Sequence, residues 1–453
     1  MAEVRRDMWG QEYRTSSADC AAALDAYYGA TMAFGRGRGA FVLRAAAADP
    51  ACVLAAALAA HFVAPRDPAA AAAYLAAAAD NLDNATDYER AVFRVHNAML
   101  GEEKDEELAI ERHFELLKEF PRDLMSLKRA QLICFYKGQP ELSLKFVEQV
   151  LPENQDQNYI YGLLAFPLLE LGKMDEAERA ARKGLDINKG DVWSQHNVCS
   201  VIIGFSRSLN LIAKTLCHVF QQECRFREAT EFMKSCSPSW RDCTSFLFTH
   251  NWWHVAVCYL EAESPLCKVL EVYDQNIMKE LERSDSEAAE VYLNALGLLL
   301  RLYVRGHIDS AKERLKMLVD PLKDEVIVSS MDRKRQQVMQ KALQLADAVY
   351  EYGKEGYKKV FDILGPDFDA LGYKMIGASD EQVDVFNEVW YTVLINTGKA
   401  SKAIEVLGKQ VRKRDGAPFL WRLLEKAYSL DGRCADASVA SEKANALQAA
   451  YFR

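Results

Sequence analysis

The sequence predicts an all-α fold: a solenoid of tetratricopeptide-type helical hairpins behind an irregular, alanine-rich helical N-terminal cap. Three observations predict it. Glycines open turns on a fixed beat, with Gly138 and Gly172 34 residues apart and Gly398 and Gly432 again 34 apart. A 34-residue period of paired helices marks a repeat that stacks on its neighbours. A small residue stands five places after each turn, as at Ala177, Ala403 and Ala437. Two helices touch there, and a side chain beyond Cβ would force them apart. Proline ends a unit at Pro121, because it cannot continue a helix.

Residues 1–85 do not keep the beat and are expected to form the cap, with helical runs at 17–34, 36–48, 51–63 and 68–80. Alanine is the best helix former and permits close packing. Residues 86–453 are expected to form one continuous solenoid. Ala109 and Pro121 belong to its first unit, followed by Leu127, Gly138 and Ser143. The next unit carries Tyr161, Leu164, Ala165, Gly172 and Ala177. Cys224 takes the glycine's place in the following unit, with Ala229 five residues later. Gly306 and Ala311 mark another unit, and a looser copy surrounds Gly353. Gly398 and Ala403 precede the best match, Trp421, Leu424, Tyr428, Gly432 and Ala437.

The beat skips between Gly172 and Cys224. That interval is 52 residues, eighteen more than the period. Residues 198–215, which hold no Asp or Glu, are expected to be an insertion from a retained intron or alternative exon, the alternative being a native loop or longer helix. Without them His196 and His218 would stand four apart on one helical face.

The chain has 453 residues and a net charge of −9. That balance argues against a nucleic-acid surface; a protein or peptide partner is expected, and no nucleic acid. The eleven cysteines are scattered without a Cys-x-x-Cys pair, the usage of a reduced cytoplasmic protein. The start lacks a signal peptide's apolar stretch, and no run of 18 apolar residues predicts a membrane span. No cofactor is expected. Gly-x-Ser-x-Gly elbows and Walker loops are absent, and "GRGRG" at 35–39 follows no strand. The basic runs 331–337 and 409–416 read as solvated helix faces. A chaperone-type carboxylate clamp is not expected: Arg94 fits, but Ala98 and Arg129 stand where Asn is wanted.

One cluster bears on chemistry. His250 and His254, in "HNWWH", stand four apart on one helix face, and His196 and His218 would make a second pair. Repeat register puts both pairs on first helices, the ones that line the inner face of such solenoids. With Trp193, Trp252 and Trp253 they are candidate ligand-binding residues. Two readings stay open beside simple packing between repeats. One is a pocket for a peptide or small molecule. The other is a divalent metal or an acid–base pair in an enzyme-like site. "HNWWH" lacks the Glu of the His-Glu-x-x-His metalloprotease motif.

The segments "GDVWSQH", "REATEFM", "HNWWHVAVCYLE", "LCKVLEVYD" and "LGPDFDALGYKMIGASDEQVDVFNEVWY", in this order, resemble the tetratricopeptide repeat protein 38 family, its plant members above all. The resemblance covers most of the chain and implies a helical-repeat protein without a defined activity. Two departures stand out. The family's His-x3-His is interrupted here by 198–215. A further helix with an Asp-x-His element, implied after the Gly306 unit, is missing near residue 325.

Overall fold

The structure is a computed structural model and describes residues 3–101, 104–197, 224–322, 333–370, 372–373 and 380–451. The expected insertion 198–215, His218 and the stretch around 325 lie outside these residues. Contacts divide the chain into two compact units, 1–198 with 239–244, and 199–238 with 245–453. Among the described residues the fold is all-α, apart from one short β-hairpin.

The first unit opens with that hairpin, β1 (Glu3–Arg6) and β2 (Glu12–Thr15), antiparallel with Glu3 opposite Thr15. The helices follow as α1 (Ala18–Met32), α2 (Arg38–Ala48), α3 (Val53–Val63), α4 (Pro68–Asp80), α5 (Asp87–Leu100) and α6 (Glu106–Glu119). Then come α7 (Leu124–Lys137), α8 (Pro140–Val150), α9 (Ile160–Glu170), α10 (Met174–Ile187) and α11 (Val192–Asn197). Local signals set the ends. Thr86 and Glu89 form a capping box at α5, satisfying N–H groups that a helix start leaves orphaned. Asp191 caps α11 by accepting from the N–H groups of Trp193 (3.0 Å) and Ser194 (3.1 Å).

The turns are the common device. Gly138 (φ +64°) and Gly172 (φ +70°) sit in the left-handed region that glycine enters without steric cost. The next N–H reaches back to close each helix, Gln139 to Cys134 and Lys173 to Leu168, both at 2.9 Å. The N-terminal region uses the same closure, contrary to its irregular look. Phe34 (φ +53°) takes the left-handed place, and Gly35 donates to the Ala30 carbonyl at 2.6 Å. Five residues after Phe34 comes Gly39, where a Cβ would lie 2.6 Å from the Phe62 ring. The sequence marks the two helices, at 17–34 and 36–48, but not this closure between them, because neither place carries its expected residue.

Pro167 lies inside α9 and supplies no N–H to the Leu163 carbonyl one turn back. The buried Gln131 fills the gap: its Nε2 donates to that carbonyl at 2.8 Å, and to Ser143 Oγ at 3.2 Å. Residues 239–244 return to the first unit. Cys243 bridges Gly35, Thr244 donates to the Phe34 carbonyl at 2.7 Å, and Trp240 Nε1 donates to Gln195 Oε1 at 3.0 Å.

The second unit holds α12 (Phe226–Cys236), α13 (Ser245–Glu261), α14 (Leu266–Val272), α15 (Ala288–Val304), α16 (Ile308–Leu322) and α17 (Arg333–Gly353). It ends with α18 (Tyr357–Leu364), α19 (Asp380–Asn396), α20 (Ala400–Lys413), α21 (Pro418–Leu430) and α22 (Cys434–Ala450). Its left-handed turn residues are Cys224, Glu263, Gly306, Glu355, Gly398 and Gly432. Cys224 (φ +58°) thus occupies the glycine's place, as the sequence pattern says. Gly353 does not: Glu355 (φ +59°) makes the turn. Gly353 instead gives room, since a Cβ there would lie 2.3 Å from Tyr303 Oη. The small residues Ala229, Ala311, Ala403 and Ala437 are buried, as close helix contact requires.

Among the described residues, the intervals between turns from Gly138 onward run 34, 52, 39, 43, 49, 43 and 34 residues. The 52-residue interval is therefore the longest of several long ones rather than a lone departure. Extra length lies between hairpins: after α14 a π turn (Tyr273–Ile277) and a 3-10 turn (Met278–Glu282) precede α15.

Candidate functional site: a polar seam on the first helices of the second unit

α13, α15 and α19 each precede a left-handed turn, so each is the first helix of a hairpin, with the α17–α18 hairpin between the last two in sequence. Each is largely apolar, yet each sends polar side chains to shared positions. The seam starts at the head of α13, where Ser245 Oγ donates to Glu280 (2.8 Å) and the Phe246 N–H to Glu290 (2.7 Å).

Next comes Asn294 on α15. Its Nδ2 donates to Thr249 Oγ1 (2.9 Å) and the Phe246 carbonyl (3.2 Å). That fixes Oδ1 as acceptor, for Gln382 Nε2 (3.2 Å) and His250 Nδ1 (3.1 Å). His250 therefore carries its proton on Nδ1 and turns a lone pair outward on Nε2. His254 Nε2 stands 3.2 Å from it and donates. His250 also stacks between Phe246 (5.1 Å) and Trp253 (5.6 Å). His250, Trp253 and His254 are 4%, 0% and 0% exposed, so the pair is a core element. Trp252, one residue round the helix, is only half-buried.

The seam ends in a cluster of buried charges that sequence reasoning did not name. Glu261, at the end of α13, accepts from Arg301 (3.4 Å), Arg305 and Arg414 (2.9 Å). Glu388 on α19 accepts from Arg301 (2.8 Å) and Arg305 (2.6 Å). Burial alone would raise the Glu261 carboxyl, but the guanidiniums of Arg305, Arg414 and Arg301 outweigh it and hold it down at about 2. Asp384, 3.6 Å from Arg414 Nη1, is pushed up by burial, against the pull of Arg414 and Arg301. The sequence did hold a clue. Arg301 and Arg305 stand one turn apart in "LGLLLRLYVRG", where the buried stripe of α15 calls for apolar side chains.

Beside this cluster opens a cavity of about 390 Å³. Phe368, Trp390 and Tyr391 line it together with Glu261, Arg301, Asp384 and Arg414, and Lys402, Lys409 and Lys413 of α20 add their ammonium groups. Lys402 pairs with Asp367 (2.9 Å) and Lys409 with Glu405 (2.6 Å).

His196 and Trp193 are on α11 in the first unit, where their rings stack at 5.2 Å and Trp193 also meets Phe34 at 4.8 Å. His218 lies outside the described residues.

No family model matches the chain. Among solved structures it is similar to a monomeric IFIT1 mutant with Gppp-AAAA, at 15% identity over 96% of this chain and 91% of that one, TM-score 0.42. It is also similar to a human IFIT1 dimer with m7Gppp-AAAA, at 15% identity over 96% and 91%, TM-score 0.40. Those two structures hold Gppp-AAAA and m7Gppp-AAAA, and the exclusion of a nucleic-acid partner drawn from net charge does not hold. The physical reason is that net charge sums the whole chain, whereas a partner meets only a local surface. No helix among the described residues is long and apolar enough to cross a membrane.

Proposed function

We propose that this chain is a cytoplasmic protein-interaction scaffold, related to the tetratricopeptide repeat protein 38 family, that binds a peptide or protein segment. The observation that carries the reading is the cavity beside the polar seam. Its wall alternates aromatic rings with charged groups, the mixture that suits a peptide's apolar side chains and polar backbone. Selection from a random peptide library on the full chain tests it. Enriched peptides whose binding falls in a Gln410→Trp variant, which adds bulk to the cavity lining, support the reading. Failure to enrich any peptide overturns it.

A second reading, an enzyme-like or metal-binding protein centred on the His/Trp residues, is favoured by one distance. The Nε2 atoms of His250 and His254 stand 3.2 Å apart, close to the spacing of two nitrogens on one tetrahedral zinc. Asn294 would orient His250 from behind, as outer partners of metal ligands do. Metal analysis of the purified chain and of His250→Ala decides it: no stoichiometric metal in the parent chain removes this reading.

A further inference from the structure

We infer that the cavity of the second unit takes a single carboxylate, from an acidic side chain or free C-terminus of the bound peptide, at Arg414 and Lys413. The inference rests on the scaffold reading and names the chemistry of its site.

Of the N–H donors on its guanidinium fork, Arg414 spends one well, Nη2 to Glu261 at 2.9 Å. Its Nη1 lies 3.6 Å from Asp384, beyond hydrogen-bond distance, and its Nε is buried without a partner. A fork held from one side by Glu261 is positioned to accept a second carboxylate on the other. Glu261 cannot supply more, since it already serves three guanidiniums. Lys413 stands next to Arg414 at the end of α20, lines the same cavity, and has no ion-pair partner among the described residues.

Of the other cations of the wall, Lys402 and Lys409 are spent on Asp367 and Glu405, and Arg301 on Glu261 and Glu388. Adding one anion therefore fits the site, whereas adding a run of anions does not. Asp369 and Asp384 line the same cavity, so successive phosphates of a strand would meet carboxylates and lysines already paired. Phe368 and Trp390 meet apolar groups flanking the carboxylate.

Fluorescence anisotropy on the full chain tests this with labelled octapeptides carrying Glu or Gln at each position, with free or amidated C-termini, and with labelled octa-adenylate RNA. Peptides with a carboxylate are expected to bind at least tenfold more tightly than their Gln, amidated counterparts. Lys413→Glu is expected to abolish that preference, and Lys426→Glu, an exposed lysine of the same unit outside the cavity, to leave it intact. Arg414→Lys, which keeps the charge but loses the fork, is expected to weaken it. Peptides that bind equally with and without carboxylates overturn the inference while leaving the scaffold reading standing. Binding of the RNA with loss in Lys413→Glu also overturns it. If no peptide binds at all, both fall together.

Discussion

Glu355 holds a left-handed backbone (φ +59°) with its side chain in solvent, so nothing about its packing repays the conformation. A residue with a Cβ costs about 1 kcal/mol there relative to glycine. Glu355→Gly is therefore expected to stabilise the second unit by about 1 kcal/mol, and Gly398→Ala to destabilise it by about as much. No atom lies within 4 Å of a Cβ placed on Gly398, so its cost is purely conformational. Equal melting points for all three chains would contradict this. The same geometry explains what could be read from residues alone. Cys224 was legible because Ala229 follows it at the right distance. Glu355 was hidden because Gly353, two places earlier, offers the expected letter for a different reason. Burial makes His113 another test at this scale. Its Nδ1 donates to the Ala109 carbonyl at 2.8 Å, and desolvation, reinforced by the charge of Arg129, lowers its pKa to about 4. An unfolded imidazole takes up its proton near 6.5. The unfolded state thus binds more protons between these values, and His113 subtracts stability as pH falls from 6.5 towards 4. His113→Asn keeps the donor and cannot titrate. Its stability should fall less than that of the parent chain over that window, and parallel pH curves would refute the assignment.

At the level of elements, α9 depends on a neighbour to complete its hydrogen bonding. Gln131→Met leaves the Leu163 carbonyl unpaired in the core, and this should cost about 1–3 kcal/mol. Pro167→Ala restores an N–H inside α9, so the two substitutions should couple by about 1 kcal/mol in a double-mutant cycle. Simple additivity would mean that Gln131 serves only Ser143. Such a dependence could not be read from the sequence, because Pro167 and Gln131 lie on different helices and only their packing connects them. Helix existence was far more legible. The runs expected at 36–48, 51–63 and 68–80 appear as α2, α3 and α4, shifted by no more than two residues. Alanine-rich composition sufficed there, since propensity and close packing point the same way. The β-hairpin before them had no such signal, and the stretched intervals between hairpins escaped because a period describes turns, not the connections that follow them.

Across the whole molecule, the two units should report different substitutions. Glu388→Gln leaves Arg301 and Arg305 short of a buried partner and is expected to cost about 3–5 kcal/mol, speeding hydrogen exchange in α13, α15 and α19. Gln131→Met should act on exchange in α7 to α10 instead. If both substitutions move the same peptides equally, the division into two cooperative units is wrong. Acid should act on the charge cluster with a definite sign. The carboxyl of Glu261 is held at about 2, below its ordinary 4.5, so its contribution is complete above 4.5 and disappears as pH falls towards 2. The candidate site was half legible for a related reason. His250, Trp253 and His254 announce themselves in one short string. The charge cluster is gathered from α13, α15, α19 and the residue after α20, so it exists only once the helices are stacked.

That gathering has a consequence for a chain still being made. Most hairpins can close on neighbours already synthesised, in the N-to-C order in which domains form during translation. Glu261 cannot, because the third of its guanidiniums arrives 153 residues later, with Arg414. Until Glu388 is made, a growing polypeptide holds the two guanidiniums of Arg301 and Arg305 against the single carboxylate of Glu261. The last units are thus a fastening as well as an extension: the ribosome must deliver nearly the entire chain before the buried carboxylate of Glu261 meets all three of its guanidiniums.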